Sequence, residues 1–83
     1  MNICFLIGKI ISEIKFDFVI SNRKINKISR TEFYIKLKNN SIIKIVAYNE
    51  LADKCFKELE KGKIIIIQGR INTLGEVEPE EFF

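Results

Sequence analysis

Eighty-three residues suffice for one small domain and no more, with a core so modest that association between copies would help it. Hydrophobic residues at 47% with no long polar tract exclude wholesale disorder, no apolar run is long enough to cross a membrane, and the absence of His excludes His-based acid–base chemistry and His metal ligation. The formal charge of +3 is uneven: residues 1–75 carry all 14 Lys and Arg against 7 acids, and residues 76–83 carry 4 acids and no base, a distribution that fits a polyanionic partner for the body and a separate role for the end.

Residues 3–11, ICFLIGKII, are β-branched and aromatic and predict a strand apolar on much of both faces. Gly8 inside it predicts a bend or a close backbone approach. After Ser12 and Glu13, alternation of Ile14, Phe16, Phe18 and Ile20 with Lys15, Asp17 and Val19 predicts a half-buried strand. Residues 21–29, SNRKINKIS, read as a basic loop or hairpin tip. Residues 30–38 alternate, with Phe33, Ile35 and Leu37 on one face and Arg30, Glu32, Tyr34, Lys36 and Lys38 on the other. A turn at Asn39-Asn40-Ser41 leads to a strand over 42–48, with Ile43, Ile45 and Ala47 inward and Ile42, Lys44, Val46 and Tyr48 outward. A three-residue loop at 39–41 keeps the faces in phase and sets Lys36 opposite Lys44.

Asn49 is a suitable N-cap for a helix whose apolar face is Leu51, Ala52, Cys55, Phe56 and Leu59, with Gly62 as its C′ residue. Residues 63–71, KIIIIQGRI, predict a strongly buried strand. Residues 76–83, EVEPEEFF, with Pro79 and four acids, make either a short closing strand or an acidic tail beyond a domain of residues 1–75. The order predicts a mainly β chain: a five-stranded Greek-key OB-fold barrel with one helix between its third and fourth strands and a last strand that is short or missing.

Three segments carry a resemblance. NICFLIG at residues 2–8, KIVAYNELADKCFKELEKG at 44–62 and IIIIQGRINT at 64–73 resemble, in order and spacing, the opening strand, the strand-and-helix segment and the following strand of bacterial single-stranded DNA-binding proteins. Shortened primosomal relatives of that family are also in view. The resemblance implies an OB-fold, single-stranded DNA as partner, a role in replication, repair or recombination, and homo-dimers or homo-tetramers built through the first strand. It also implies stacking aromatics. This chain has no Trp: Tyr48 keeps one stacking position, while Ile42 and Glu76 stand where the family has Trp.

Binding single strands without sequence preference needs cations along the phosphates and rings under the bases. The outward face nominates Tyr34 and Tyr48 among Arg30, Lys36, Lys38 and Lys44, extended by Arg23, Lys24 and Lys27 from the basic loop and by Arg70. Phe5, Phe33 and Phe56 are assigned to the core, and so are Phe16 and Phe18, which share the apolar face of their strand. Phe82 and Phe83, with the acids before them, are either a docking tip for replication or repair proteins or part of the closing strand.

Cys4 and Cys55 are too few and too widely spaced for a metal motif or a disulfide framework and read as buried, reduced thiols, which predicts a cytoplasmic location. Met1-Asn2-Ile3 has no basic stretch before an apolar one, which predicts no signal peptide. No phosphate-binding Gly loop, nucleophile elbow or metal spacing occurs, so neither catalysis nor a cofactor is expected. The competing reading is a protein-interaction or assembly module, for a primosome or conjugation partner, with weak or no DNA binding. A general RNA-binding domain is a third.

Overall fold

The computed structural model describes residues 2–20 and 27–83. Six strands and one helix follow in chain order: β1 (Cys4–Ile10), β2 (Lys15–Ile20), β3 (Lys27–Leu37), β4 (Ile42–Tyr48), α1 (Asn49–Glu58), β5 (Ile64–Ile71) and β6 (Val77–Phe82). They form one sheet in the order β1-β5-β6-β4-β3-β2, and a further pairing of β1 with β3 closes a five-stranded barrel. β6 runs parallel to β4, and the other pairings are antiparallel.

β1 and β2 are two halves of one bent strand. Both lie along the same edge of β3, β2 against Lys27–Glu32 and β1 against Ile35–Leu37. Across the break, Ile11 donates its N–H to the Tyr34 carbonyl at 3.0 Å, and the Ser12 hydroxyl accepts the Tyr34 N–H at 2.8 Å, so the ladder stays satisfied where the chain bends. Counting the bent strand once gives five strands, with the helix between the third and the fourth. This is the expected OB-fold, and its last strand is present as β6.

Two glycines permit the close approaches. An added Cβ at Gly8 would lie 3.0 Å from the Lys36 carbonyl oxygen, where β1 meets β3. One at Gly69 would lie 2.5 Å from the Glu78 carbonyl oxygen and 2.9 Å from Pro79 Cα, where β5 and β6 shift register at a bulge. Pro79 fits inside a paired strand because it sits at this irregularity.

The core is drawn from the whole ring: Ile10, Phe33, Ile35, Ile45, Ala47, Ile65, Ile67, Val77 and Phe82, met by Ala52 and Cys55 of α1 and by Leu59 at its C-terminal cap. The helix is tied to β3 by the buried Thr31 hydroxyl, which donates to the Ala52 carbonyl at 2.9 Å. Burial pushes the Cys55 thiol up to about 12, so it stays protonated and inert. No disulfide joins it to Cys4.

The structure corrects several local expectations. The hydrogen bond between Leu37 and Ser41 closes the β3–β4 turn around three residues, but they are Lys38, Asn39 and Asn40. Leu37 N–H bonds the Ser41 carbonyl, and Asn40 sits at φ 70. The frame moves by one residue and the pairs by two, so Lys36 faces Ile42 and Lys44 faces Tyr34, not each other. The faces are unchanged because the shift is even. Asn49 makes no side-chain cap; it takes φ 58 at the strand-to-helix corner, a conformation Asn tolerates, and Tyr48 occupies the cap position. Gly62 lies beyond the helix end, at φ 98 in the turn that returns to β5. Residues 27–29 belong to β3 rather than to the loop. Phe5, Phe18 and Phe56 are 68%, 58% and 52% exposed, because Phe5 falls on the outer side of β1 and Phe18 and Phe56 on the flank where β2 meets α1.

Candidate nucleic-acid interface

The register of β3 and β4 places four cross-strand pairs on the outside of the barrel: Arg30 with Tyr48, Glu32 with Val46, Tyr34 with Lys44, and Lys36 with Ile42. Tyr34 and Tyr48 present their rings half-open, at 38% and 37% exposure, on opposite strands of this patch and two pairs apart. Val46 is fully buried on the same side, yet it is not part of the barrel core. It stands directly opposite Glu32 in the strand pair.

The charges of this patch form a chain of ion pairs. Arg30 meets Glu32 at 2.7 Å and Asp17 of β2 at 4.0 Å. Lys44 meets Glu32 at 3.6 Å and Glu76 at 3.0 Å. Glu76 is positioned by Asn72, whose side-chain amide donates to it at 2.9 Å and whose side-chain carbonyl accepts the N–H groups of Leu74 and Glu76, shaping the β5–β6 turn. The Arg30 hydrogen bond, with Lys44 nearby, holds the Glu32 carboxyl below its ordinary value. Asn72 and then Lys44 lower Glu76. In return, Glu32 raises Arg30, and the hydrogen bond to Glu76 raises Lys44. All four stay ionised through the neutral range. This face therefore offers two rings and a set of mixed donors and acceptors, with Arg30 and Lys44 already matched.

The other nominated residues spread over the barrel. Lys36 and Lys38 are exposed, and Lys36 stands directly opposite Lys9 of β1. Lys27 opens β3 with its ammonium 5.9 Å from the centre of the Phe18 ring. Arg70 is on the outer side of β5, its Nε 3.6 Å from Glu80. Arg23 and Lys24 lie outside the described residues. Phe82 points into the core with the Lys54 ammonium 4.9 Å from its ring centre, so of the two terminal aromatics only Phe83 presents its ring to solvent.

Three features escaped the sequence reading. Glu32 and Glu76 act as partners for the face's cations; the i, i+2 spacing of Arg30 and Glu32 was the available signal for the first. Lys9 joins Lys36 across the β1–β3 seam, which no local pattern announces. Phe16, Phe18 and Phe56 form an aromatic group between β2 and α1, with ring centres 5.3 Å and 4.9 Å from Phe16, and Phe18 and Phe56 stay exposed. Among the described residues no cluster of potential metal ligands occurs, and no helix is long and apolar enough to cross a membrane.

Comparison with known proteins places this geometry. No family model and no curated protein sequence matches the chain. Among solved structures, the SSB domain of a Synechococcus protein superposes with a TM-score of 0.82 at 14% identity, over 99% of this chain and 93% of that one. Wild-type single-stranded DNA binding protein from Thermus aquaticus superposes with a TM-score of 0.74 at 20% identity, over 100% of this chain and 39% of that one. The chain thus has the OB-fold of bacterial single-stranded DNA-binding domains, and it spans about two fifths of the Thermus protein.

Proposed function

We propose that this protein binds single-stranded DNA without sequence preference, as a non-catalytic accessory in replication, repair or recombination. The carrying observation is the near-complete superposition on an SSB domain, 99% of one chain on 93% of the other. The two outward tyrosines supply the chemistry the reading needs, because a flat ring accepts any base and a phenol tip tolerates water. Arg30, Lys44, Lys36, Lys38, Lys27 and Arg70 supply positive charge on the outside of the barrel, Arg23 and Lys24 are included from the sequence alone, and no cofactor takes part.

Fluorescence anisotropy with a labelled dT oligomer tests the reading. Binding should be measurable at low salt and weaken steeply as salt rises. Tyr34→Ala and Tyr48→Ala should each cost about 1–3 kcal/mol of binding, more than Phe33→Ala costs at equal foldedness. No binding at low salt refutes the reading, and equal competition by an RNA oligomer would redirect it to RNA.

One observation favours an added role in assembly. Ile3 and Phe5 of the first strand and its approach, with Ile66 of β5 and Phe83, leave an uncovered apolar surface in which Phe5 is 68% and Phe83 67% exposed. We propose that copies of the chain associate through it as a dimer or tetramer, in keeping with a cytoplasmic protein that works as an oligomer. Replication or repair proteins are the further partners this reading allows.

A further inference from the structure

Arg30, Lys44 and Arg70 each stand against a carboxylate of the chain itself. A different set of cations does not. Lys9 and Lys36 face each other directly across the β1–β3 seam. Lys38 follows β3 beside them. Lys61 belongs to the turn before β5, which is fastened to β1 by Gly62 N–H to the Ile10 carbonyl and by Ile10 N–H to the Lys63 carbonyl, both at 2.8 Å. Among the described residues, no carboxylate lies within 4.0 Å of any of these four ammonium groups. Lys9, Lys36 and Lys38 line a surface hollow of about 290 Å³ together with Ile7, Leu37 and Ile64. Lys9, Lys36 and Lys61 line an adjoining one of about 400 Å³.

Like charges directly across a strand pair are unfavourable unless an anion offsets them. Here four converge on apolar walls. That combination suits a nucleotide unit, whose phosphate takes the ammonium groups while its sugar and base edge cover the isoleucines. A phosphate laid on Arg30 or Lys44 would instead sit beside Glu32 and Glu76 and would have to break their pairs. We propose that the phosphate backbone of the bound strand crosses the lysine seam of Lys9, Lys36, Lys38 and Lys61, and that Arg30 and Lys44 do not carry it. This rests on the reading of the chain as a single-strand binder.

The test is the slope of log K against log salt for a labelled dT oligomer. Each phosphate neutralised on a single strand contributes roughly 0.7 to that slope. The triple variant Lys9→Gln/Lys36→Gln/Lys38→Gln should therefore lose about 2 from it, three contacts at the single-strand value. The charge-neutral pair Lys44→Gln/Glu76→Gln, whatever affinity it costs on the tyrosine face, should keep the wild-type slope, and Lys54→Gln/Lys57→Gln on the helix should keep it too. Circular dichroism guards against unfolding: the triple variant should melt at or above the wild-type temperature, since a like-charge pair has been relieved. A wild-type slope in the triple variant overturns the seam and leaves single-strand binding standing. Equal losses in the triple and helix variants also overturn it, as diffuse attraction. A slope that falls in Lys44→Gln/Glu76→Gln returns the backbone to the tyrosine face. Failure of the wild type to bind the oligomer at low salt removes both readings together.

Discussion

At the scale of single residues, Glu32 and Glu76 govern how the outer face responds to pH. Both carboxyls titrate below their ordinary value of 4.5 in the folded protein. A depressed carboxyl contributes stability that is fully present above its unfolded value and is lost as pH falls through the folded one. The raised values of Arg30 and Lys44 act oppositely, holding their contribution at every pH below 10.5. Thermal melting should thus be flat from these groups between about pH 6 and 9 and should decline below about pH 4.5. Glu32→Gln should lower the neutral plateau and make the acid decline shallower; an unchanged acid limb would show that the pair does not contribute. Alternation alone put Arg30, Glu32, Tyr34, Lys44 and Tyr48 on one surface. It did not reveal that Glu76 reaches Lys44, because that contact needs β6 laid alongside β4. Phe5 misled for a different reason. In ICFLIG both faces are apolar, so the period of two separates Cys4 and Leu6 from Phe5 and Ile7 without saying which set is inside.

At the scale of elements, β6 depends on its neighbour having no side chain. An alanine methyl at position 69 would meet the backbone of Glu78 and Pro79 at 2.5–3.0 Å, and backbone cannot rotate away. Gly69→Ala should destabilise the fold by about 1–3 kcal/mol or more, the usual range for overpacking, seen as a lower urea midpoint with an unchanged m-value. A variant within about 0.5 kcal/mol of wild type, the spread expected of a neutral surface change, would mean that β6 is not held at this spacing. The six regular segments other than β6 were legible within a residue or three, since period two and period 3.6 are properties of each segment alone. β6 was only half legible: acids and Pro79 argue against a strand by themselves, and what makes one is the pair of open edges on β4 and β5 between which it lies. The hairpin shows the same division. Loop length and faces followed from the pattern, whereas the frame depended on Asn40 rather than Ser41 ending the turn at positive φ.

At the scale of the molecule, the barrel was recoverable because its segment order constrains the topology and three stretches resembled a known domain. What covers its outside was not, since an apolar strand can be buried by the same chain or by another. The outer surface of β1 and β5 decides between them. Sedimentation velocity should show the wild type as a dimer or larger at micromolar concentration, and Phe5→Glu/Ile66→Glu should shift it to monomer with little change in its far-ultraviolet spectrum. A wild type that sediments as a monomer throughout would remove the association reading and leave the single-strand reading untouched.

The position of β6 has one more consequence, and it concerns time. It follows β4 and β5 in chain order, yet it sits between them. The ring cannot close until β6 arrives, and until then β4 and β5 each keep a row of unpaired backbone groups beside isoleucine-rich faces. Such long-range pairing belongs to the slow regime of small-protein folding, on the order of milliseconds to seconds. The chain passes through that interval with two adhesive edges open.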